Sequence, residues 1–307
     1  MRAVKADGYG APEVLRIIEV PKPAPESNEI MIKVKAASLN SGDVRLRALD
    51  VGEGAKGVLA SIVLRLVLGI RKPKQIHGSV LAGIVEAVGS DVTRFNVGDE
   101  VHAMAGFNFG AFADYCVLPD KRAIALKPKT ATFEETSTLA FGGNTALYFL
   151  RKAGVGEGKK VLIYGSTGAV GTSAVQVAKY LGADVTAVSG PDGMDLTREL
   201  GAAKVYNYKE TPLEQIEGTF DVVFDAVGKI TKSKAAHLIA EGGQYVTVDS
   251  LDVAKESSAD LEELSHMYDK GQLVATIDKT FDLDEIVEAN RYVDSGRKKG
   301  NVVIRIA

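Results

Sequence analysis

Apolar and polar residues alternate from Ile30 to Ala36 in EIMIKVKAASL, the period-two signature of a strand with one buried face. VLAGIVEAVG (80–89) and DEVHAMA (99–105) predict further strands, separated by the turn-rich SDVTRFNVGD. PKPAPESNE (21–29) is too rich in proline for a central strand and predicts a connection. From about Phe133 the period changes, and helical patterns alternate with short apolar runs. KVLIYG, DVTAVSG, KVYNY, DVVFDAVG and QYVTVD predict strands; GTSAVQVAKYLG and MDLTRELGA predict helices. That β-α-β-α order implies a parallel sheet with helices on both faces. In the tail, LEELSHMYDKGQL (261–273) and FDLDEIVEANRYVDSG (281–296) predict helices and GNVVIRIA a last strand, expected to fold back onto the first domain.

A chain of 307 residues is too long for one core, so two domains are expected. The boundaries read as 1–120 with 256–307 for a mostly β domain, and 121–255 for the α/β domain. A net charge of −3 gives no electrostatic reason to expect a nucleic-acid partner. The single cysteine, Cys116, excludes an internal disulfide framework and a four-cysteine zinc site; it reads as a small core hydrophobe. MRAVKADGYG has no signal-like apolar region, and the chain is read as cytoplasmic. The longest apolar run, Gly57 to Ile70, is broken by Arg65 and is shorter than the roughly 20 residues that span a bilayer.

The chemistry concentrates in VLIYGSTGAVGTSAVQVAKYLGADVTAVSG (161–190), which reads as strand, glycine turn, helix, strand. Gly168 lets the backbone approach a pyrophosphate and Gly171 lets the helix pack against the strand. The helix start at Ala169, Val170 and Gly171 offers free N–H groups to phosphate. Ser166 stands at the usual first glycine of the fingerprint, and its hydroxyl and that of Thr167 are candidate phosphate donors. The second strand ends at Ser189-Gly190, where an NAD site carries an acid for the ribose. Without that acid there is room for a 2′-phosphate, which favours NADP(H), with Asp192 as the countersignal. Tyr208, ending the next strand, either reaches that phosphate or is a half-buried aromatic.

Several further stretches carry a resemblance: APEVL (11–15), ASLNSGDVRLR (37–47), AGIVEAVGSDVTRFNVGDEV (82–101), GAFADYCVLP (110–119), FGGNTALYFLRKAGVGEGKKVLIYGSTGAVG (141–171), FDVVFDAVG (220–228) and KKGNVVIRI (298–306). Together they resemble the medium-chain dehydrogenase/reductase superfamily, in its zinc-free quinone oxidoreductase branch with zeta-crystallin and the enoyl reductases. The resemblance implies a Rossmann doubly wound parallel sheet plus a GroES-like β domain built from both chain ends. It implies hydride transfer from NADPH to a hydrophobic quinone or α,β-unsaturated carbonyl. Zinc-dependent relatives carry a cysteine ligand at Asn40 and a Gly-His-Glu at Gly78-Ser79-Val80, so no metal ligands are expected; the zinc-free branch usually has an aspartate at Val80. The cleft position of Asn40 suggests a donor to an enolate oxygen, against a turn role in NSGD, where Asp43 is expected to cap a helix starting at Val44. Thr145 matches a position near the nicotinamide, or is a helix-interior threonine bonding its own backbone. Asn301 matches a C-terminal cofactor position, or a turn residue before the last strand. Four histidines, His77, His102, His237 and His266, show no ligand spacing.

The run GVLASIVLRLVLGIRKPK is read as lining a pocket for a hydrophobic acceptor, as core filling, or as touching a membrane surface. DSLDVAKESSADL (249–261) is polar where relatives carry a strand that pairs two subunits, so a monomer or a non-standard dimer is expected. A nucleotide-binding structural or regulatory protein without turnover is the alternative function. A methyltransferase would place an acid at Ser189 and leaves residues 1–120 unexplained.

Overall fold

Two strands, β1 (Arg2–Ala6) and β2 (Leu15–Glu19), open the chain and pair antiparallel in a computed structural model that describes residues 1–50, 54–250 and 252–306. There follow β3 (Glu29–Leu39), α1 (Ser41–Ala48), α2 (Gly54–Leu68), β4 (Val80–Val88), β5 (Glu100–Met104), β6 (Tyr115–Pro119) and β7 (Ala123–Leu126). The long helix α3 (Phe133–Lys152) leads to β8 (Lys160–Tyr164), α4 (Ala169–Tyr180), β9 (Asp184–Ser189), α5 (Met194–Glu199), β10 (Lys204–Asn207), β11 (Phe220–Asp225) and β12 (Ile239–Thr247). The chain closes with α6 (Ser258–Asp269), β13 (Ile277–Asp282), α7 (Ile286–Asp294) and β14 (Asn301–Arg305).

These elements form two units, Met1–Ala140 with Ile277–Ala307, and Phe141–Thr276. In the first, β3 is the axis of a seven-stranded sheet in the order β13-β14-β3-β4-β5-β7. One edge of β3 pairs β4; the other pairs β6 along Glu29–Lys33 and then β14 along Ala36–Leu39. Ile30, Ile32 and Val34 join the core on even positions, and Ala37 and Leu39 on odd ones. The register irregularity between Val34 and Ala36 lies between the two sets, as an extra residue in a strand requires. The buried Arg47 guanidinium ties α1 to α7, with Nη2 2.6 Å from Asp294 and Nη1 donating to the Gly10 carbonyl at 3.1 Å.

The second unit is a five-stranded parallel sheet ordered β10-β9-β8-β11-β12, a doubly wound arrangement whose direction of winding reverses between β8 and β11. Helix α4 is buried from Ala169 to Ala178, which explains its apolar character on nearly every side. The expected boundaries at 120/121 and 255/256 differ from the observed ones at 140/141 and 276/277. Helix α6 packs in the second unit, where Arg151 of α3 pairs with Asp260 and Glu263, and Gln176 of α4 bonds the backbone of Val274 in both directions. Strand β13 takes Phe281 and Asp282 out of the predicted helix 281–296, because the Asp282/Glu285 capping box fixes where helical structure starts. No strand after β12 joins this sheet among the described residues, so β12 is an edge of it.

Candidate functional site

The carboxyl ends of β8, β9 and β10 carry the residues singled out from the second unit, except Thr145, which lies in α3. Strand β8 runs into a turn in which Gly165 has φ +81°, and a Cβ there would fall 2.6 Å from a methyl of Val227, so only glycine suits the position. At Gly171 a Cβ would fall 2.1 Å from the Gly165 carbonyl oxygen; its absence lets α4 start directly against the strand. Gly168 differs. It is the N-cap of α4 in an extended conformation (φ −75°, ψ 176°), and a Cβ there would meet no heavy atom within 4 Å. No side chain caps this helix. The first amides, at Ala169, Val170 and Gly171, have no acceptor inside the helix, and the open side of Gly168 leaves room for an anion beside them. The cradle fits a dinucleotide pyrophosphate.

The hydroxyls do not all serve that cradle. Ser166 is fully buried, its Oγ donating to the Val188 carbonyl at 3.2 Å and lying 3.1 Å from Thr197 Oγ1. This corrects the expectation of a phosphate donor: the Ser166 hydroxyl clamps the turn to β9 and α5. Thr167 keeps its side chain at the turn surface, against Gly193, where a Cβ would fall 2.2 Å from its methyl. Ser189 is buried and donates to the Gly190 carbonyl at 3.0 Å. Tyr208 is half exposed and leans over Gly190, where a Cβ would lie 3.5 Å from its hydroxyl oxygen. Asp192 is exposed on the short Pro191–Gly193 turn. Ser189, Gly190 and Tyr208 therefore converge at the ends of β9 and β10, with a phenol and no carboxylate in the contact.

Asp225, at the end of β11, was not singled out from sequence. Its buried carboxylate accepts from the amides of Val227, Gly228 and Ile230 at 3.3, 2.9 and 3.0 Å, and so holds the loop that carries Val227 over Gly165. Thr145 donates to the Phe141 carbonyl at 2.7 Å, the helix-interior arrangement.

In the first unit Asn40 is the N-cap of α1, and its Oδ1 accepts from the amides of Gly42 and Asp43 at 2.8 and 3.2 Å. The helix starts at Ser41, not at Val44, and Asp43 does not cap it from outside. Asp43 is the third helical residue and closes a capping box by accepting from the Asn40 amide at 3.0 Å. Asn40 Nδ2 donates to Ser79 Oγ at 3.0 Å, and Ser79 Oγ donates to Asp43 Oδ1 at 2.9 Å. Burial pushes the Asp43 carboxyl up to about 6, against the hydrogen bonds from Asn40 and Ser79 that favour its ionised form. Val80 is buried and apolar, so the carboxylate in this network comes from Asp43. Asn301 is buried at the start of β14, paired in register with Ile277.

Two other groups resolve plainly. Burial holds Cys116 near 12, with its thiol against the Phe109 carbonyl at 3.6 Å, so it is an unreactive core residue. His77 is buried and, by that burial and the charge of Arg47, held down to about 4.

Residues 26–129 match the alcohol dehydrogenase GroES-like domain, and residues 169–274 and 250–304 match two zinc-binding dehydrogenase profiles. The chain is 31% identical to a 2-methylene-furan-3-one reductase of Solanum lycopersicum, over 99% of this chain and 79% of that one. It is 30% identical to a chloroplastic quinone oxidoreductase of Triphysaria versicolor, over 99% and 98%. The solved quinone oxidoreductase of Coxiella burnetii superposes with a TM-score of 0.89 at 28% identity, covering 100% of this chain and 99% of that chain. The zinc in the profile descriptions does not fit the residues present. The positions that the resemblance gives to zinc ligands hold Asn40, Ser79 and Val80, the first two hydrogen-bonded to each other, and no group of three His, Cys, Asp or Glu among the described residues is placed to hold a metal ion. With a GroES-like first unit, a doubly wound second unit and full-length relatives, the chain belongs to the medium-chain dehydrogenase/reductase superfamily.

Proposed function

We propose that the protein is a metal-independent, NADPH-dependent reductase of quinones or α,β-unsaturated carbonyls. The observation that carries this reading is the turn from Gly165 to Gly171: rigid at both ends, open at Gly168, and presenting uncapped helix amides. The named relatives support the reaction class. The cofactor, when bound, supplies a hydride to the electron-poor carbon of the acceptor. The amides of Ala169, Val170 and Gly171 would hold the pyrophosphate, with Thr167 at the rim. Ser189-Gly190 would admit a 2′-phosphate for the Tyr208 hydroxyl to bind, with Asp192 on the following turn as the competing ribose acceptor. Thr145 and Asn301 would take the roles beside the nicotinamide and cofactor that the resemblance implies.

Hydride addition to a conjugated carbonyl moves an electron pair onto its oxygen, and a proton is then taken up at the neighbouring carbon. An acceptor of this kind needs no Lewis acid to become electrophilic. Asn40 would donate to the developing oxyanion. Its Oδ1 is fixed by two backbone amides, which fixes where Nδ2 points, and only one of the two Nδ2 hydrogens is engaged by Ser79. Asp43 and Ser79 orient that amide and do not meet the substrate.

The test is NADPH consumption, followed by nicotinamide absorbance, against quinones and enones of graded size. Turnover with one or more of these supports the reading. Tight NADPH binding with no oxidation by any acceptor would instead favour a nucleotide-binding protein without turnover.

A further inference from the structure

Of the three readings of the apolar run, as pocket lining, core filling or membrane contact, its exposure bears on the third. In and just beyond α2, Ile62, Val63, Leu66, Val67 and Ile70 are 50, 51, 69, 65 and 68% exposed. Their spacing of three and four residues places them on one stripe of the helix. The stripe is held firmly. Leu68 is buried, the Tyr9 hydroxyl donates to the Gly69 carbonyl at 2.8 Å, and the Arg65 guanidinium lies 4.8 Å above the Tyr9 ring while donating to the Ile70 carbonyl at 2.9 Å. Exposed Arg71, Lys72 and Lys74 follow directly. From Gly54 to Val85 the sequence contains no aspartate or glutamate, although the whole chain carries a net charge of −3. Phe107 is 73% exposed and sits edge-on to Phe109, which borders the same small cavity as Leu68.

We infer that this face rests on the surface of an anionic lipid bilayer. Protein-binding surfaces concentrate aromatic anchors and arginine amid satisfied polar groups, whereas Ile62, Val63, Leu66, Val67 and Ile70 are all aliphatic, with Phe107 beside them. An aliphatic stripe ending in a basic cluster is the composition of a helix lying at the head-group level, its apolar side chains among the acyl chains and its cations on lipid phosphates. The protein does not cross the bilayer on this element: no described helix is long and apolar enough. The inference is independent of the reductase reading, since it concerns a surface and not turnover.

The experiment is flotation of the full-length protein with vesicles of phosphatidylcholine alone, and of phosphatidylcholine with a quarter phosphatidylglycerol, at low and high salt. The first variant carries Leu66→Asp and Val67→Asp; the second carries Arg71→Glu, Lys72→Glu and Lys74→Glu. All five side chains are exposed, and circular dichroism confirms that each variant is folded. The expected result is flotation with the anionic vesicles only, weakened by salt. Partitioning should fall about 100-fold or more in the charge variant, and be lost in the aspartate variant. No flotation with anionic vesicles, equal flotation with neutral ones, or undiminished flotation of the folded variants would each overturn the inference. So would a doubled mass in light scattering that the aspartate variant abolishes, because a second copy would then cover the stripe.

Discussion

Two glycines three residues apart in one turn are expected to fail in opposite ways. At Gly171 an added Cβ meets the Gly165 carbonyl oxygen at 2.1 Å and Ser166 backbone atoms at 2.7 Å. These are backbone atoms of the strand–turn junction and cannot swing aside as a side chain would, so α4 must move away from β8. Overpacking of that kind costs up to about 3 kcal/mol. The better helix propensity of alanine offsets less than about 1 kcal/mol of it. Gly171→Ala should therefore lose about 2 kcal/mol, a Tm lower by about 3 °C for a chain of 307 residues. At Gly168 an added side chain meets nothing, and the extended backbone is one that valine adopts readily. Losing glycine at an N-cap costs from a few tenths to about 1 kcal/mol, and the stiffer unfolded chain offsets about 0.4–1 kcal/mol. Gly168→Val should melt within about 2 °C of the parent, yet its side chain fills the space over the amides. Its NADPH affinity, by nicotinamide fluorescence titration, should fall at least about 100-fold, or 2.7 kcal/mol. A folded Gly168→Val protein with unchanged affinity would remove this turn from the cofactor site, and an unchanged melt for Gly171→Ala would show that the helix is not pressed against the turn.

Tyr208→Phe should weaken NADPH binding about tenfold, equivalent to about 1.4 kcal/mol, and leave NADH binding unchanged; an equal loss for both cofactors would place the phenol elsewhere. Asp43 is held up to about 6 from an ordinary 3.8, so the folded state keeps a proton that the unfolded chain releases. Its contribution, on the order of 3 kcal/mol, is full below about pH 4 and lost as pH rises through 6. His77, held down to about 4, acts in the opposite sense over an overlapping range, so the measurement is the stability difference between the parent and Asp43→Asn, which should shrink between pH 4 and 7; a flat difference would refute the shift. Protein purified without chelators should carry far less than one zinc per chain, and stoichiometric zinc by elemental analysis would contradict the assignment of Asn40, Ser79 and Val80. Light scattering should give a monomer, or a dimer whose crystal contact avoids residues 245–260; a two-fold sheet continued through β12 would refute this.

Much of the fold was legible because its strands and helices carry strong periods. The alternation at Ile30–Ala36 and the glycine turn before α4 each appear where the pattern puts them. Strand β13 was not legible: IDKTFD has too few apolar residues to stand alone, and it is a strand because it pairs with β14. The Asn40 cap was half legible. The spacing of Asn40 and Asp43 is a capping box in plain sequence, but choosing Asp43 as the cap moved the helix start by three residues. Its link to Ser79, and the Ser166–Thr197 contact, join residues more than thirty positions apart and could not be read locally. The outward turn of the stripe on α2 was only one of three readings, since an apolar run looks the same whether it is buried or bare and the cations after it were the sole hint of exposure.

The return of β14 to β3 has a consequence for biosynthesis. The sheet of the first unit needs Val302 opposite Leu39 and Arg305 opposite Ala36, so it stays incomplete until residues 302–305 have left the ribosome. The second unit is one uninterrupted stretch, Phe141–Thr276, and has its whole sequence earlier. At roughly 5–20 residues per second, the interval from Ala140 to Arg305 lasts about ten to thirty seconds. Throughout it the β3 edge that later receives β14 is an unpaired template. Nascent first-unit sheet is thus the stage most exposed to mispairing and most dependent on a chaperone, and truncating the last strand should harm folding yield far more than removing an equal length of surface loop.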